Sequence, residues 1–388
     1  MSEPVLICGG GIGGLSAAIA LSHNGIPTKV LEQAKTFSEA GAGIEIGPNA
    51  VRHLRNWGLM ELVSSFSSEP EGMHVFDGLD RELLTTVPLG ETVRERFGAP
   101  YLIIHRKQLQ YCLLEAAGNI DGIKIETGFK VSRFETQPDG VTVRTKSGKT
   151  AHGRALIGAD GLWSTIRGSF SNAEPATAGV TAWRALLPAS RVPDAVKTAG
   201  IAAYLGPGAH IVQYSLDAGA IVNVVAMIEE TINFDGWASP GDGAELLPFF
   251  YGWNDQIFSL LELPDDWHKW TVMCMDPLPQ WGEGPVTLVG DAAHPIEPFM
   301  AQGGSAAIED AASLSAAMAA YPDDIAAAFR FFESSRKARI MRIQKASHRR
   351  GRIYHMSGLM RWARNQILRR RDPEAFLTRY DWLYRPAG

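Results

Sequence analysis

The feature that most constrains this chain is the stretch PVLICGGGIGGLSAAIALSHNGIPTKVLEQA near its start. Val5 to Cys8 is typical of a buried parallel strand. Gly13 to Asn24 predicts an alanine-rich helix, with Gly25 at its C′ position. Thr28 to Leu31 predicts a second strand, which ends at Glu32. Strand, helix and strand in this order predict a Rossmann-like α/β unit.

The glycines between the first strand and the helix have the spacing GxGxxG. Gly9 suits a tight turn, Gly11 a close approach of the backbone to a pyrophosphate, and Gly14 the packing of helix against strand. Glu32 follows where an acid would accept from a ribose hydroxyl. A purely structural glycine turn is the alternative, but the whole unit in register favours dinucleotide binding. FAD and NAD both remain open at this point.

A second glycine–acid signal is ALIGADGLWSTIR. Ala155 to Ile157 predicts a strand that leads into Asp160 and Gly161, with Ser164 and Arg167 on a short helix after them. Asp-Gly is also a common turn pair, so a turn without a binding role is the alternative reading of Asp160. A Rossmann enzyme that binds a single nucleotide has no evident use for this motif together with the first and with a third one further along the chain.

The third signal is VTLVGDAAHPIEPFMAQGG, where the predicted strand Val286 to Val289 precedes Gly290 and Asp291. Asp291 and His294 lie close enough in sequence to suggest a catalytic or metal-binding pair. The alternative is that the stretch holds a cofactor through its backbone. No HExxH or paired CxxC spacing accompanies these residues, so we expect no metal.

Together the three signals resemble the class A flavoprotein monooxygenases, the FAD-dependent aromatic hydroxylases. The resemblance spans nearly the whole chain and includes GAGIEIGPNAVRHL (41–54), YLIIHRKQLQ (101–110), DPLPQW (276–281) and MAQGGSAAIEDAASL (300–314). These details are most similar to the salicylate hydroxylase, 3-hydroxybenzoate 6-hydroxylase and 6-hydroxynicotinate 3-monooxygenase branch.

The resemblance implies an α/β fold with a Rossmann-like FAD-binding domain, an inserted mixed or antiparallel β-sheet substrate domain and a C-terminal helical segment. The expected FAD-binding domain comprises residues 1–72, 100–175 and 271–321. Residues 73–99 and 176–270 are expected to form the substrate domain, and 322–388 the helical segment. At 388 residues the chain has room for more than one domain.

The resemblance also implies where non-covalent FAD binds. Arg106 would reach the pyrophosphate and ribityl region, Asp160 would lie near the pyrophosphate, and Asp291 would accept from a ribityl hydroxyl. The glycines Gly303 and Gly304 would open a helix, Ser305 to Met318, whose N-terminal amides face the flavin. The remaining predicted FAD-binding residues are Gly9, Gly11, Gly14, Glu32, Gly43 and Ile44. His294 is then expected to be a structural histidine.

The stretches VTAWRALLPA, AAYLGPGAHIVQYSL and AIVNVVAMI predict antiparallel strands of the substrate domain. Period-2 alternation places His210, Val212 and Tyr214 on one face. The alternative is that His210 and Tyr214 are polar side chains of a half-buried sheet without a role in binding. The resemblance favours a role, because the family uses a histidine and a tyrosine of this strand near its substrate. His210 is the predicted base and Tyr214 the residue that orients the substrate. Pro298, Phe299 and Met300 are expected beside the flavin, in the substrate pocket.

The implied activity is hydroxylation of a small phenolic or hydroxypyridine carboxylic acid. NADH or NADPH would reduce FAD, and O₂ would then give a flavin hydroperoxide that transfers hydroxyl to the ring. The sequence does not choose between NADH and NADPH, between substrates, or between hydroxylation with and without decarboxylation. Two alternatives are an oxidase or reductase of the same fold and a non-catalytic dinucleotide-binding module.

Composition excludes other classes of function. The net charge of −5 disfavours nucleic-acid binding, although the region after residue 322 is basic and is expected to flank the FAD domain or contribute to a homodimer. The N-terminus lacks the pattern of a secretory signal, and no segment is apolar enough for a membrane span. Three separated cysteines, Cys8, Cys112 and Cys274, predict buried thiols and a cytoplasmic location.

Overall fold

The glycine-rich unit at the start of the chain opens a parallel sheet. A computed structural model describes residues 3–37, 43–230 and 238–385. The strands of these residues are β1 Val5–Cys8, β2 Thr28–Leu31, β3 Gly43–Ile46, β4 Ser67–Ser68, β5 Gly72–Asp77, β6 Leu83–Pro88, β7 Leu102–His105, β8 Ile123–Glu126, β9 Val131–Gln137, β10 Gly140–Thr145, β11 Thr150–Gly153, β12 Ala155–Gly158, β13 Ala176–Pro188, β14 Ile201–Gly206, β15 Ala209–Leu216, β16 Ile221–Ile228, β17 Ala238–Gly241, β18 Trp267–Cys274 and β19 Val286–Leu288.

The helices connect and cover these strands. They are α1 Ile12–Ser22, α2 Pro48–Asn56, α3 Met60–Ser64, α4 Gly90–Phe97, α5 Arg106–Gly118, α6 Gly243–Leu246, α7 Asp255–Glu262, α8 Gly303–Ala320, α9 Ile325–Tyr354, α10 Gly358–Arg370, α11 Pro373–Thr378 and α12 Asp381–Tyr384. Short 3₁₀ turns occupy, among other places, Arg167–Ser169, Gly290–Ala292 and Pro298–Met300. No helix of the described ranges is long and apolar enough to cross a membrane.

The five-stranded sheet has the order β19-β12-β1-β2-β8 and is parallel throughout. Its strands β1 and β12 are fully buried, which suits their nearly continuous apolar sequences. Because carboxyl ends of parallel strands meet at one edge, the residues after β1, β2, β12 and β19 come together there. Those residues carry the three glycine–acid motifs of the sequence.

The eight-stranded sheet has the order β17-β18-β13-β16-β15-β14-β5-β6. Its pairs are antiparallel except β14 with β5, so the sheet is mixed. One face packs on α7 through a second core that includes Trp183, Ile211 and Val224. The other face looks toward the parallel sheet. Two three-stranded sheets, β11-β10-β9 and β3-β7-β4, complete the strands.

The predicted fold class is confirmed, and most local predictions need only small changes. β1 and β2 have the predicted bounds, whereas the predicted helix Gly13 to Asn24 runs from Ile12 to Ser22. Gly25 has φ +69° and turns the chain after that helix. The predicted strand Val286 to Val289 ends one residue earlier, at Leu288.

Three other predictions were wrong in detail. Ser164 lies in the loop before a 3₁₀ turn, and only Arg167 of the two residues predicted on a short helix is helical. Helix α8 begins at Gly303 instead of Ser305 and ends at Ala320. Cys274 is only partly buried, unlike Cys8 and Cys112, because it lies near the end of β18. Residues 41 and 42 of the motif GAGIEIGPNAVRHL lie outside the described residues.

Candidate active site

A cavity of about 1790 Å³ lies between the carboxyl edge of the parallel sheet and the inner face of the eight-stranded sheet. Pockets for one drug-sized ligand usually measure about 300–1,000 Å³, so this cavity has room for more than one bound molecule. Its floor comes from loops after the parallel strands, its roof from β15, β16 and neighbouring strands, and one wall from α9 and α10. Floor residues include Gly11, Gly43, Ile44, Arg106, Gly161, Asp291, Gly303 and Gly304, and roof residues include His210, Val212, Tyr214, Val225 and Met227.

The glycine loop is built as the GxGxxG spacing requires. Gly9 has φ +109°, and a Cβ there would lie 2.3 Å from the carbonyl oxygen of Ala159. A Cβ on Gly14 would lie 1.9 Å from the carbonyl oxygen of Gly9, so α1 packs on the loop only without a side chain at that position. A Cβ on Gly11 would meet nothing within 4 Å and would enter the cavity. This open backbone fits a pyrophosphate of the predicted cofactor.

Glu32 lies directly after β2, beside the glycine loop. Its carboxylate accepts from the backbone N–H of Gly10 and of Ala34, each at 2.7 Å. These two bonds fix the carboxylate at the carboxyl edge of the sheet. The remaining lone pairs of its oxygens suit the predicted ribose hydroxyl, which stays a prediction.

Gly43 and Ile44 begin β3, which pairs with β7 so that Gly43 lies opposite His105. Arg106 follows β7 at the start of α5, and all three of Gly43, Ile44 and Arg106 line the cavity. The hydroxyl of Tyr214 donates to the carbonyl oxygen of Gly43 at 2.7 Å. Because a Cβ on Gly43 would lie 2.5 Å from the Tyr214 ring, glycine permits this contact. The bond ties the roof to the floor.

Asp160 forms part of its own turn. Its carboxylate accepts from the hydroxyl of Ser164 and from the backbone N–H of Thr165 and Ile166. Burial raises the pKa of Asp160, and these hydrogen bonds oppose that rise. These hydrogen bonds give the Asp160 carboxylate a structural role within its own turn. Its place near the pyrophosphate stays a prediction.

Arg167 connects the second motif to the third. Its guanidinium donates to the carbonyl oxygen of Leu162 at 2.7 Å and to that of Ala292 at 3.0 Å. Ala292 directly follows Asp291. The buried arginine thus fixes the position of one loop relative to the other, a role that its sequence pattern did not reveal.

Asp291 follows the third motif's strand, and its side chain lines the cavity. It is accessible from the cavity, while protein surrounds it on the other sides. This burial raises the pKa of Asp291, whereas the charge of Arg106 lowers it. A carboxylate held in this way can accept a hydrogen bond from a ligand hydroxyl. The position fits the predicted contact with a ribityl chain.

Helix α8 points its N-terminus at the cavity. Gln302 precedes its first turn and provides no side-chain cap, and Gly303 and Gly304 line the cavity. The Nε2 of Gln302 is buried without a hydrogen-bond partner among the described residues. Free amides and the partial positive charge of an 18-residue helix favour an anionic or electron-rich group at this place. A flavin that gains electrons is such a group.

His294 is not among the residues that line the cavity. Its Nε2 lies 2.6 Å from Oδ2 of Asp310, which is fully buried on α8. The same oxygen accepts from the backbone N–H of Gly290 at 3.0 Å, and the other carboxylate oxygen accepts from Arg336 of α9 at 2.7 Å. The Asp291–His294 pair considered from the sequence is therefore replaced by a His294–Asp310 pair that holds the loop.

The roof presents alternate residues of β15 to the cavity. His210, Val212 and Tyr214 line it, whereas Ile211 packs into the core on the other face of the sheet. His210 and Tyr214 are almost fully buried, at 2% and 4% exposure. Burial and the neighbouring His355 hold the pKa of His210 well below its usual range. His210 is therefore a neutral imidazole at pH 7.

His210 is one end of a line of side chains. Its Nδ1 lies 2.7 Å from Nε2 of His355, the residue directly after α9. The Nδ1 of His355 lies 3.0 Å from Oε1 of Glu229, just after β16. Neither His355 nor Glu229 was singled out from the sequence.

Phe299 lies between the floor and the C-terminal helices. Its ring centroid is 5.8 Å from that of His210 and 6.0 Å from that of His355. Helix α9 contacts this ring at Gly351, where a Cβ would lie 2.7 Å from it. Pro298 and Met300 line the same cavity. The structure thus brings Phe299 next to His210 and places Pro298 and Met300 on the wall of the same cavity.

Arg184 is a cavity residue that sequence reasoning missed. On β13 it lies opposite Val225, which in turn lies opposite Val212, so Arg184 shares the cavity face with His210 and Tyr214. Burial lowers the pKa of Arg184 to about 10, so it is still charged at neutral pH. Its guanidinium carbon lies 4.5 Å from the ring centroid of Trp270. Period-2 counting along VTAWRALLPA could have identified this cation.

Comparison with known proteins agrees with this geometry. A family model described as FAD binding domain matches residues 2–220 and 261–345. The 3-hydroxybenzoate 6-hydroxylase of Polaromonas naphthalenivorans (strain CJ2) is 37% identical over 381 residues, which are 98% of this chain and 95% of that protein. The 6-hydroxynicotinate 3-monooxygenase of Bordetella bronchiseptica is 31% identical over 348 residues, 89% of this chain and 90% of that protein.

A solved structure shows the same fold. The crystal structure of Klebsiella pneumoniae HpxO complexed with FAD and uric acid has a TM-score of 0.87 to this chain and is 28% identical. The match covers 100% of this chain and 98% of that one. The floor, the roof and the C-terminal helices therefore belong to one known arrangement.

Proposed function

Since this chain belongs to the family of FAD-dependent aromatic hydroxylases, as the three glycine–acid motifs predicted, we propose that it hydroxylates a small phenolic or hydroxypyridine carboxylic acid. The similarity to a 3-hydroxybenzoate 6-hydroxylase supports a hydroxybenzoate in particular. The observation that carries the proposal is the continuous cavity in which the glycine loop, the N-terminus of α8 and His210 meet.

The enzyme is a flavoprotein that uses FAD with NADH or NADPH and O₂. Bound FAD supplies the redox chemistry, because it takes electrons from the nicotinamide and activates oxygen. The cavity residues fit FAD at three places. These are the open backbone at Gly11, the carboxylate of Asp291 in the cavity, and the uncapped start of α8. The residues that would hold the cofactor are Gly9, Gly11, Gly14, Glu32, Gly43, Ile44, Arg106, Asp160, Asp291, Gly303 and Gly304.

His210 acts as the base in this proposal. A neutral, buried imidazole on the cavity roof can accept the proton of a substrate hydroxyl. Loss of that proton raises the electron density at the ortho and para carbons of the ring. Those carbons then react more readily with an electrophilic oxygen.

The rest of the roof and floor orients the ring and excludes water. Val212, Val225 and Met227 give an apolar surface above the cavity, and Phe299 closes it from the floor. We propose that Tyr214 orients the substrate through its ring, since its hydroxyl donates to Gly43. Removing water from such a site strengthens the electrostatic interactions inside it.

Arg184 would supply positive charge for the carboxylate of the substrate. It shares the cavity face with His210, and its burial makes an anionic partner favourable. A flavin that has gained electrons is a second anion that this cation could stabilise. A substrate that lacks a carboxylate distinguishes the two roles.

The proposed activity is tested with purified enzyme and a panel of hydroxybenzoates, aminohydroxybenzoates, hydroxynicotinates and uric acid. We expect a yellow protein whose NADH or NADPH oxidation rises at least tenfold with one class of aromatic acid, with a hydroxylated product found by mass spectrometry. Running both nucleotides identifies the electron donor, and release of CO₂ identifies decarboxylation. Formation of H₂O₂ with no hydroxylated product under every condition would indicate an oxidase or reductase instead.

A glycine pair tests the cofactor site separately from the activity. Gly11→Ala adds a methyl group that meets no protein atom, so we expect a folded protein that retains less FAD. Gly14→Ala would clash with the backbone of Gly9 and should reduce folding itself. A Gly11→Ala protein that binds FAD as tightly as the wild type, or a wild type that binds none, contradicts the proposed site.

We further propose a homodimer in the cytoplasm. Helix α10 carries large exposed apolar side chains, including Leu359 at 78% and Trp362 at 60%, which favour a protein contact. The free thiols of Cys8, Cys112 and Cys274 suit a reducing compartment. Light scattering of the pure protein and cell fractionation test the two statements, and a monomer or a membrane-bound fraction would contradict them.

A further inference from the structure

We propose that His355 and Glu229 form a relay that carries the proton of the substrate hydroxyl from His210 to solvent. The inference rests on the proposed function, because it requires a substrate whose hydroxyl loses a proton at His210. His355 and Glu229 are then positioning residues, since they act through His210 and not on the substrate.

The three side chains form an unbroken hydrogen-bonded line from the cavity to the surface. The two imidazoles are joined at 2.7 Å between Nδ1 of His210 and Nε2 of His355. The second imidazole is joined to the carboxylate of Glu229 at 3.0 Å. Exposure rises at the last step: the side chain of His355 is 1% exposed and that of Glu229 is 51% exposed. The line therefore begins at the proposed base and ends in water.

The carboxylate at the end of the line fixes the tautomers of both histidines. A carboxylate accepts only, so the Nδ1 of His355 must carry the proton that it donates to Glu229. A neutral His355 then has an unprotonated Nε2, which can only accept from the Nδ1–H of His210. This assignment leaves the Nε2 of His210 with its lone pair free. A base needs such a free lone pair, and the hydrogen bonds from His210 to His355 and from His355 to Glu229 impose this tautomer.

The proton movement balances along this line. The substrate O–H bond breaks, and an N–H bond forms at Nε2 of His210. The Nδ1 proton of His210 passes to Nε2 of His355, and the Nδ1 proton of His355 passes to Glu229. Glu229 releases a proton to water, and the two imidazoles end neutral in the opposite tautomers. The net result is a phenolate in the cavity and one proton in solvent.

The surroundings disfavour a proton that stays on either histidine. Burial lowers the pKa of His355, and the nearby charge of Arg364 lowers it further, while Glu229 opposes both. Around His210 the neighbouring rings are Phe299 from the floor and Tyr354 of α9, at 5.8 and 5.1 Å between centroids. Neither ring carries a negative charge that would stabilise a protonated His210. We therefore expect the proton to pass from His210 to His355.

The side-chain line is not needed to hold these elements together. The backbone N–H of Gly208 donates to the carbonyl oxygen of His355 at 3.0 Å, and the carbonyl oxygen of Gly208 accepts from the backbone N–H of Glu229 at 2.8 Å. These bonds already join α9 to the turn between β14 and β15 and to the end of β16. Proton transfer can therefore be removed by side-chain substitution while the elements stay in place.

The test uses the FAD-loaded enzyme with its best substrate and the variants Glu229→Gln and His355→Gln. Glu230→Gln is the matched control, because Glu230 is the adjacent exposed acid and lies outside the line. Stopped-flow mixing with a pH-indicator dye measures proton release on substrate binding. We expect release to slow about tenfold or more in both variants, below the full effect of about 10²–10⁴-fold for losing a base. Release in Glu230→Gln should match the wild type.

Two further readouts separate a relay from a structural role. Small buffers such as imidazole should restore proton release in Glu229→Gln, and the solvent deuterium isotope effect on release should change in both variants. Substrate affinity and FAD content should stay at wild-type values in Glu229→Gln, which lies at the surface and carries the test even if His355→Gln folds poorly.

Three outcomes would overturn the inference, and they are distinguishable. If the wild type hydroxylates an aromatic acid but both variants release the proton at the wild-type rate, the relay is wrong and the proposed function stands. If Glu230→Gln slows release as much as Glu229→Gln, general surface charge explains the effect instead. If no aromatic acid stimulates the wild type, the proposed function and the relay fail together.

Discussion

Two of the histidine–carboxylate pairs among the described residues differ in the surroundings of the acid, and we assign them opposite roles. His294 pairs with Asp310 at 2.6 Å, and the aspartate is fully buried and also held by Arg336. His355 pairs with Glu229 at 3.0 Å, and the glutamate reaches the surface. The chemistry of the partners is the same, so the surroundings of the acid decide the role. A closed pair stabilises a loop, and an open pair can exchange protons with water.

The electrostatics of the closed pair show why it is structural. Burial by itself would raise the pKa of Asp310, but the charges of His294 and Arg336 outweigh burial and hold that pKa well below its usual range. The aspartate therefore stays ionised throughout the physiological range. Its partners include the backbone N–H of Gly290, so the network fixes the loop that carries Asp291.

Breaking the closed pair should have the largest effect on stability. Asp310→Asn removes a buried charge that pairs with both His294 and Arg336 and leaves Arg336 only its ion pair with Glu309, which should cost up to about 3–5 kcal/mol of unfolding free energy. Urea unfolding followed by circular dichroism measures the loss, with the exposed Asp323→Asn as control. A loss below about 1 kcal/mol would contradict a structural role for this pair.

The same variant should also change how the stability of the protein depends on pH. Because the folded-state pKa of Asp310 lies below its unfolded value of about 3.9, its contribution is fully present above that value and is lost as pH falls further. Wild-type stability should therefore decline below about pH 4. Asp310→Asn should show a flatter acid limb, and an unchanged acid limb would assign the decline to other carboxylates.

Removing His210, the proposed base that is joined to the His355–Glu229 pair, should affect catalysis instead of stability. His210→Asn should lower the hydroxylation rate about 10²–10⁴-fold, since the substrate hydroxyl loses its proton acceptor. Raising the pH toward about 10, where a phenol ionises by itself, should restore part of the rate. Steady-state rates across pH measure this, and FAD content and substrate affinity provide the control. A rate within threefold of the wild type at pH 7 would exclude His210 as the base.

Arg184 places a third charged group, half-buried, on the cavity face of the eight-stranded sheet. Arg184→Met should raise the KM for a hydroxybenzoate about 10–100-fold, the loss expected for a hydrogen bond to a charged group. The KM for a phenol without a carboxylate should change little. Arg191→Met, at an exposed arginine paired with Asp265, is the control. An equal rise for both substrates would place Arg184 on the flavin instead of the carboxylate.

Tyr214→Phe should have the smallest effect. It removes the hydrogen bond between roof and floor and should cost about 1 kcal/mol of stability, with the ring still in place to orient the substrate. Thermal unfolding and kcat measure the two effects. A loss of kcat above tenfold with unchanged stability would show that the hydroxyl acts on the substrate.

The sequence predicted the floor well because its function depends on local backbone geometry. Gly9, Gly11 and Gly14 lie within one turn and helix start, and the positions where each Cβ would clash or stay open follow from their spacing. Period-2 alternation likewise predicted that His210 and Tyr214 share one face of β15. Asp291 and His294 looked equivalent in sequence, yet one enters the cavity and the other faces away.

The sequence by itself determined the family, the FAD-binding motifs and the strand that carries the proposed base, because these depend on residues close together in the chain. Only the tertiary structure decided which partners the histidines meet: His355 lies 145 residues from His210, and Asp310 reaches His294 from a different helix. Proton affinity depends on burial and on nearby charge, and both are set by elements that meet only after folding. The roles of His210, His294 and His355 were therefore decided by what packs around them.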